Sequence, residues 1–109
     1  MQIKVNVKAL SVNQVWCGKR FKTAKYKQYE QDCGWFIKMP MIKGEVKIDY
    51  KFYIKHFSTS DIDNFIKPFQ DILVKNGAIE DDSKILKITA EKIKSNEEYI
   101  EVEITKISP

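Results

Sequence analysis

The stretch Val46-Lys47-Ile48-Asp49-Tyr50-Lys51-Phe52-Tyr53-Ile54-Lys55 decides the fold. Val46, Ile48, Tyr50, Phe52 and Ile54 alternate with polar or amphipathic residues, the period of a strand with one face on a core. A slip of one residue would expose all five apolar side chains, so the register is strongly specified. Downstream, Ile62, Phe65, Ile66, Phe69, Ile72 and Leu73 recur at helical spacing, which gives a helix one apolar face to lay on that strand. Ser58, Thr59, Ser60 and Asp61 are all suited to cap its start, and Asn76-Gly77 to close its end. Pro68 is the discordant residue, because inside a helix it removes a hydrogen bond at a cost of about 3 kcal/mol. Two outcomes are open: a tight first turn over 62–66 with a kink, or a helix that starts near Pro68.

Reading outward, residues 84–94 alternate through Leu86, Ile88 and Ala90, and Ser95-Asn96 predicts a hairpin into a last strand carrying Ile100, Val102 and Ile104. Towards the N-terminus, Ile3, Val5 and Val7 alternate with Lys4, Asn6 and Lys8 and predict a half-buried strand. Residues 9–20 have no clean period and read as a loop, residues 24–34 as a short helix, and Met39-Pro40-Met41 with Gly44 as a turn. The order β-α-β-α-β-β predicts an α+β fold, one domain over 1–109, with a mixed sheet of about four strands and two helices packed on it.

The 109 residues, 43% apolar and 31% charged, fit one globular core. No run approaches a membrane span and the N-terminus does not pattern as a signal peptide, so the expectation is a cytoplasmic protein without a membrane partner. Cys17 and Cys33 lack metal-site spacing and read as reduced thiols. The net charge of +4 divides unevenly: residues 1–60 carry 12 Lys/Arg against 4 Asp/Glu, and residues 61–109 carry 7 against 11. A basic half beside an acidic half suits a polyanion held next to a cation site. Lys19, Arg20, Lys22, Lys25 and Lys27, with Trp16, Phe21 and Tyr26 between them, can neutralise phosphates and stack on unpaired bases. A solvated lysine-rich surface over core aromatics explains the same residues.

The acidic half holds the chemistry. At a strand end, Asp61 and Asp63 project the same way, and Asp82 would join them from the loop that enters the next strand. Two carboxylates about 4 Å apart repel by roughly 4 kcal/mol at an effective dielectric near 20, which a proton or a cation relieves. Oxygen ligands without nearby His or Cys select a hard ion, Mg²⁺ or Mn²⁺, over zinc. Lys67, four residues after Asp63, can hold a phosphate oxygen or simply pair with Asp63 or Asp71. Asn64 can orient a carboxylate or cap the helix. Spacing does not choose between Asp81 and Asp82, and Glu80 reads as a solvated loop acid. His56 reads as a strand-end surface residue rather than a catalytic base.

Asp61-x-Asp63-Asn64-x-x-Lys67, the helix through Phe69 and Leu73, Asn76-Gly77, and Glu80-Asp81-Asp82 before a strand together resemble the RusA family of Holliday junction resolvases. The likeness extends more loosely to Ser11-Val12-Asn13 and the basic segment after it. It implies a homodimeric endodeoxyribonuclease of bacterial or phage type that nicks four-way DNA junctions symmetrically, using Mg²⁺ or Mn²⁺ and no small-molecule cofactor. By motif position, Asp61, Asp63 and Asp82 correspond to metal-binding catalytic carboxylates and Lys67 to the catalytic lysine. Asn64 and Asp81 are candidate supporting residues, and Asn13 and the basic segment candidate DNA contacts. Where the family often carries an arginine-rich run, this chain has His56-Phe57-Ser58-Thr59-Ser60, and Ile79 stands where the family often has an aromatic. The competing readings are a non-catalytic nucleic-acid-binding module with structural acids, and a dimeric protein-interaction domain.

Overall fold

The computed structural model describes residues 1–17, 21–56 and 61–107. Six strands and two helices follow in the order β1 (Gln2–Val5), β2 (Trp16–Cys17), β3 (Phe21–Lys22), α1 (Ala24–Gly34), β4 (Val46–Ile54), α2 (Asp63–Lys75), β5 (Ile85–Lys94) and β6 (Tyr99–Lys106). The main sheet has the order β1-β6-β4-β5, with β4 parallel to β5 and antiparallel to β6. This is the expected α+β architecture of two helices and a four-stranded mixed sheet. The strand with the strongest alternation lies inside the sheet. Val46, Ile48, Tyr50, Phe52 and Ile54 are all buried.

Two expectations about connection fail. Residues 9–20 lack a period that would predict a strand, yet β2 within them pairs with β3 in a two-stranded ribbon; strands of two residues are too short to show a period. The hairpin expected at Ser95-Asn96 does not form, because β4 lies between β5 and β6. The connection crosses the end of β4, where the Ser95 amide donates to the Ile54 carbonyl at 2.9 Å. The apolar β4 thereby gains a hydrogen-bonded neighbour on both sides, which a β5–β6 hairpin would deny it. The polar partner strand β5 takes the edge.

Helix α1 begins where Thr23 Oγ1 accepts from the Tyr26 amide at 3.1 Å, while its own hydroxyl donates to the Gln14 carbonyl at 2.6 Å. Helix α2 runs through Pro68 rather than starting there, with the tight first turn of the first outcome. Its opening turn is tightened by bonds from the Asn64 amide to the Asp61 carbonyl and from Phe65 to Ile62, both 3.1 Å. The ring of Pro68 is buried, and Phe65, Phe69, Ile72 and Leu73 are buried around it. Burying four such side chains, at about 1.5–3 kcal/mol each, outweighs the missing amide. At the other end Gly77 has φ 74°. The Gly77 amide donates to Val74 and the Ala78 amide to Leu73, both at 3.0 Å, the paired closure expected of Asn-Gly at a helix end.

Candidate active site

Asp82 is carried to α2 by the return of the chain. After Gly77, Ile79 bridges in parallel to Ile42, and the Glu80 carboxylate accepts from the Gly44 amide. Glu80 is exposed, as read, but it also pins the Gly44 turn. Asp81 then caps a short 3-10 turn, Asp82–Lys84, accepting from the Ser83 amide at 3.2 Å and the Ser83 hydroxyl at 2.7 Å. These bonds hold the Asp81 carboxyl below its ordinary range. The turn therefore separates the two acids that spacing left equivalent: Asp81 is spent on the cap, and Asp82 faces the helix.

There Asp82 Oδ2 accepts from Lys67 Nζ at 3.1 Å. The same ammonium donates to Asp71 Oδ1 at 2.7 Å, one turn further along α2. Both bonds raise the Lys67 pKa, that to Asp71 most. Of the two pairings open to Lys67 along its helix, the structure has Asp71. Asp82 Oδ1 is buried and has no hydrogen-bond partner. Beneath lies Tyr50, whose hydroxyl donates to Gln70 Oε1 at 3.0 Å. Burial, then the Asp82 and Asp71 charges, push the Tyr50 hydroxyl well above its ordinary pKa, so both acids bear on one buried phenol.

Asp61 and Asp63 are exposed at the start of α2, and no side chain caps that helix. The first-turn acid Asp63 is favoured there by the helix dipole. Asn64 is half-buried in the same turn. Among the described residues no three acids, histidines or cysteines gather closely enough to hold a metal ion. Asp61, Asp63 and Asp82 are thus not drawn together as expected; Asp82 instead bonds Lys67, which stands one turn beyond Asp63 and whose positive charge offsets that of Asp82. The donor chemistry nevertheless fits a hard cation, since every candidate ligand is a carboxylate and Asp82 Oδ1 is a buried acceptor with no donor.

Asn13 lines a cleft of about 350 Å³ with Ser11, His56, Phe65 and Glu98, to which α2 contributes Phe65 and none of the candidate acids. The basic segment is divided. Lys19 and Arg20 lie outside the described residues, as do Ser58, Thr59 and Ser60. Lys22 is paired with Glu30 at 3.2 Å, and Lys25 and Lys27 are exposed on α1. Of the interleaved aromatics Tyr26 is buried and Phe21 is 72% exposed, so core packing explains one and not the other.

Sequence reasoning did not assign Asp71, Gln70 or Tyr50 to the site. Gln70, a polar residue on the buried side of α2, was the available signal, because a buried amide needs a partner such as Tyr50.

The description endodeoxyribonuclease RusA belongs to a family model that matches residues 3–105, nearly the whole chain. No curated protein matches it. The match spans both α-helices and all of the main sheet except its first and last residues, Gln2 and Lys106, and it takes in Asp61, Asp63, Lys67 and Asp82. The chain belongs to the RusA family of endodeoxyribonucleases, hydrolases that act on DNA.

Proposed function

We propose that this chain resolves four-way DNA junctions by paired, metal-dependent nicks, leaving 5′-phosphate and 3′-hydroxyl ends. The observation that carries the reading is Asp82 on Lys67, two residues 15 apart in the chain brought together one turn from Asp63. In this reading Asp61, Asp63 and Asp82 hold one or more Mg²⁺ or Mn²⁺ ions, with Asn64 in support. A divalent ion bound there supplies Lewis acidity, drawing the scissile phosphate and a water together and stabilising the leaving oxygen. Lys67 contributes a fixed positive charge to the phosphoryl group as negative charge builds on its oxygens. Asn13, Lys19, Arg20, Lys22, Lys25 and Lys27 hold the DNA arms.

Two matched cuts require two sites, and a two-fold dimer offers equal sites to a substrate of like symmetry. The support for a dimer here is the edge strand β5, whose Leu86 and Ile88 are 55% and 41% exposed. The fold and the DNA substrate agree with a cytoplasmic enzyme of recombination, repair or phage DNA processing. Among the described residues no helix is long and apolar enough to cross a membrane.

A synthetic four-way junction incubated with and without Mn²⁺ tests the reading. Wild type is expected to give paired symmetric nicks only with the ion, and Asp63→Asn to bind the junction without cutting it. Equal cutting by Asp63→Asn would remove the metal mechanism. Retention of the junction with no product under any divalent ion would favour a binding module.

A further inference from the structure

Lys67 is shared between two carboxylates that differ in origin. Asp71 lies four residues on along the same helix, so its 2.7 Å bond depends only on α2. Asp82 arrives from a separate turn, and its bond of 3.1 Å to Lys67 satisfies only one of its two oxygens. The Tyr50 hydroxyl, a buried donor that feels the charge of both acids, is already given to Gln70 and does not supply the other. Asp82 is therefore half-satisfied, while Lys67 is doubly held.

We propose that Asp71 is the positioning residue of this site: it keeps the Lys67 ammonium on α2, so that Asp82 can exchange that lysine for a divalent cation. The inference rests on the metal reading given above and adds a role that reading does not contain. Lys67 and the cation compete for Asp82. Asp71 lowers the cost of that exchange, because a lysine leaving Asp82 still has a carboxylate to donate to. Without Asp71, Lys67 would have Asp82 as its remaining partner and would oppose the ion more strongly.

Binding of Mn²⁺ to the intact protein, followed by calorimetry or by the spectrum of free Mn²⁺, tests this without any reaction. Loss of a negative charge weakens cation binding in any case, so a double-mutant cycle is needed. Asp71→Asn is expected to weaken Mn²⁺ binding about threefold in the wild-type background, the size of an exposed ion pair. In a Lys67→Met background the same substitution is expected to have a clearly smaller effect, only the part due to the lost charge, and Asp71→Glu in place of Asp71→Asn is expected to keep the wild-type affinity. On a junction substrate, Asp71→Asn should lower kcat and leave KM in place. An equal effect of Asp71→Asn in both backgrounds, or none in either, overturns the proposal and leaves Asp71 an ordinary surface pair. Failure is distinguishable from failure of the metal reading, which is marked by wild type that binds no Mn²⁺ or by Asp82→Asn that binds it as well as wild type.

Discussion

Cys33 sits fully buried on α1, next to Tyr29, and burial pushes its thiol up to about 12 from 9.0. Tyr26, on the same helix, is pushed up to about 12 from 10.0, again chiefly by burial. Both groups hold their protons more tightly in the folded chain than in the unfolded one. Their contribution to stability is complete below pH 9 and is lost as pH rises from about 9 towards 12. Urea midpoints measured from pH 8 to pH 11 are expected to fall, and Cys33→Ala to flatten the lower part of that fall. Native Cys33 should also resist a thiol reagent at pH 8, since the neutral thiol is a poor nucleophile and is covered. At this scale residue type and spacing single out the acids and Lys67 as candidates, and the structure adds the Lys67–Asp82 contact. The sequence was not legible where one side chain has two equally spaced choices. Lys67 has acids four residues away on each side, and only the packed helix shows it turning towards Asp71.

Helix α2 joins the sheet to the site, and its apolar face sets where Lys67 stands. Phe69 has no exposed surface and meets the Tyr50 ring edge-on, with centroids 6.1 Å apart. Phe65 packs on Phe52 at 5.5 Å. Phe69→Ala should destabilise the protein by about 3–5 kcal/mol, seen as a lower urea midpoint with little change in slope. Activity of the fraction that stays folded should also fall, because Tyr50 and Gln70 lose the ring that holds them beneath Lys67. The bounds of both helices were close to those read from periodicity and end signals. The tight first turn of α2 was only one of two readings, because Pro68 alone does not say whether buried neighbours compensate for its missing amide.

For the main sheet, strand identity was legible and strand adjacency was not, while the two-residue strands β2 and β3 left no pattern to read. Residues 85–94 and 99–106 are neighbours in sequence, and a short polar turn between two strands ordinarily signals a hairpin. Here the most apolar strand claims the position between them, a competition that no local pattern displays. The result is an edge strand with Leu86 and Ile88 uncovered. For the proposed homodimer, Ile88→Glu is expected to halve the mass measured by light scattering, and to replace paired cuts with single nicks. An unchanged mass would move the interface to another face.

The left-handed residue Gly77 ends α2 at a fixed point, and the chain then has only a few residues before Asp82. Because an α-helix turns about 100° per residue, one inserted amino acid between Lys67 and Gly77 would rotate the lysine away from the incoming acid. Apart from Asp71, letters along the solvent side of that interval have more freedom to change than their number has. Length, in this segment, is itself a condition for the Lys67–Asp82 contact.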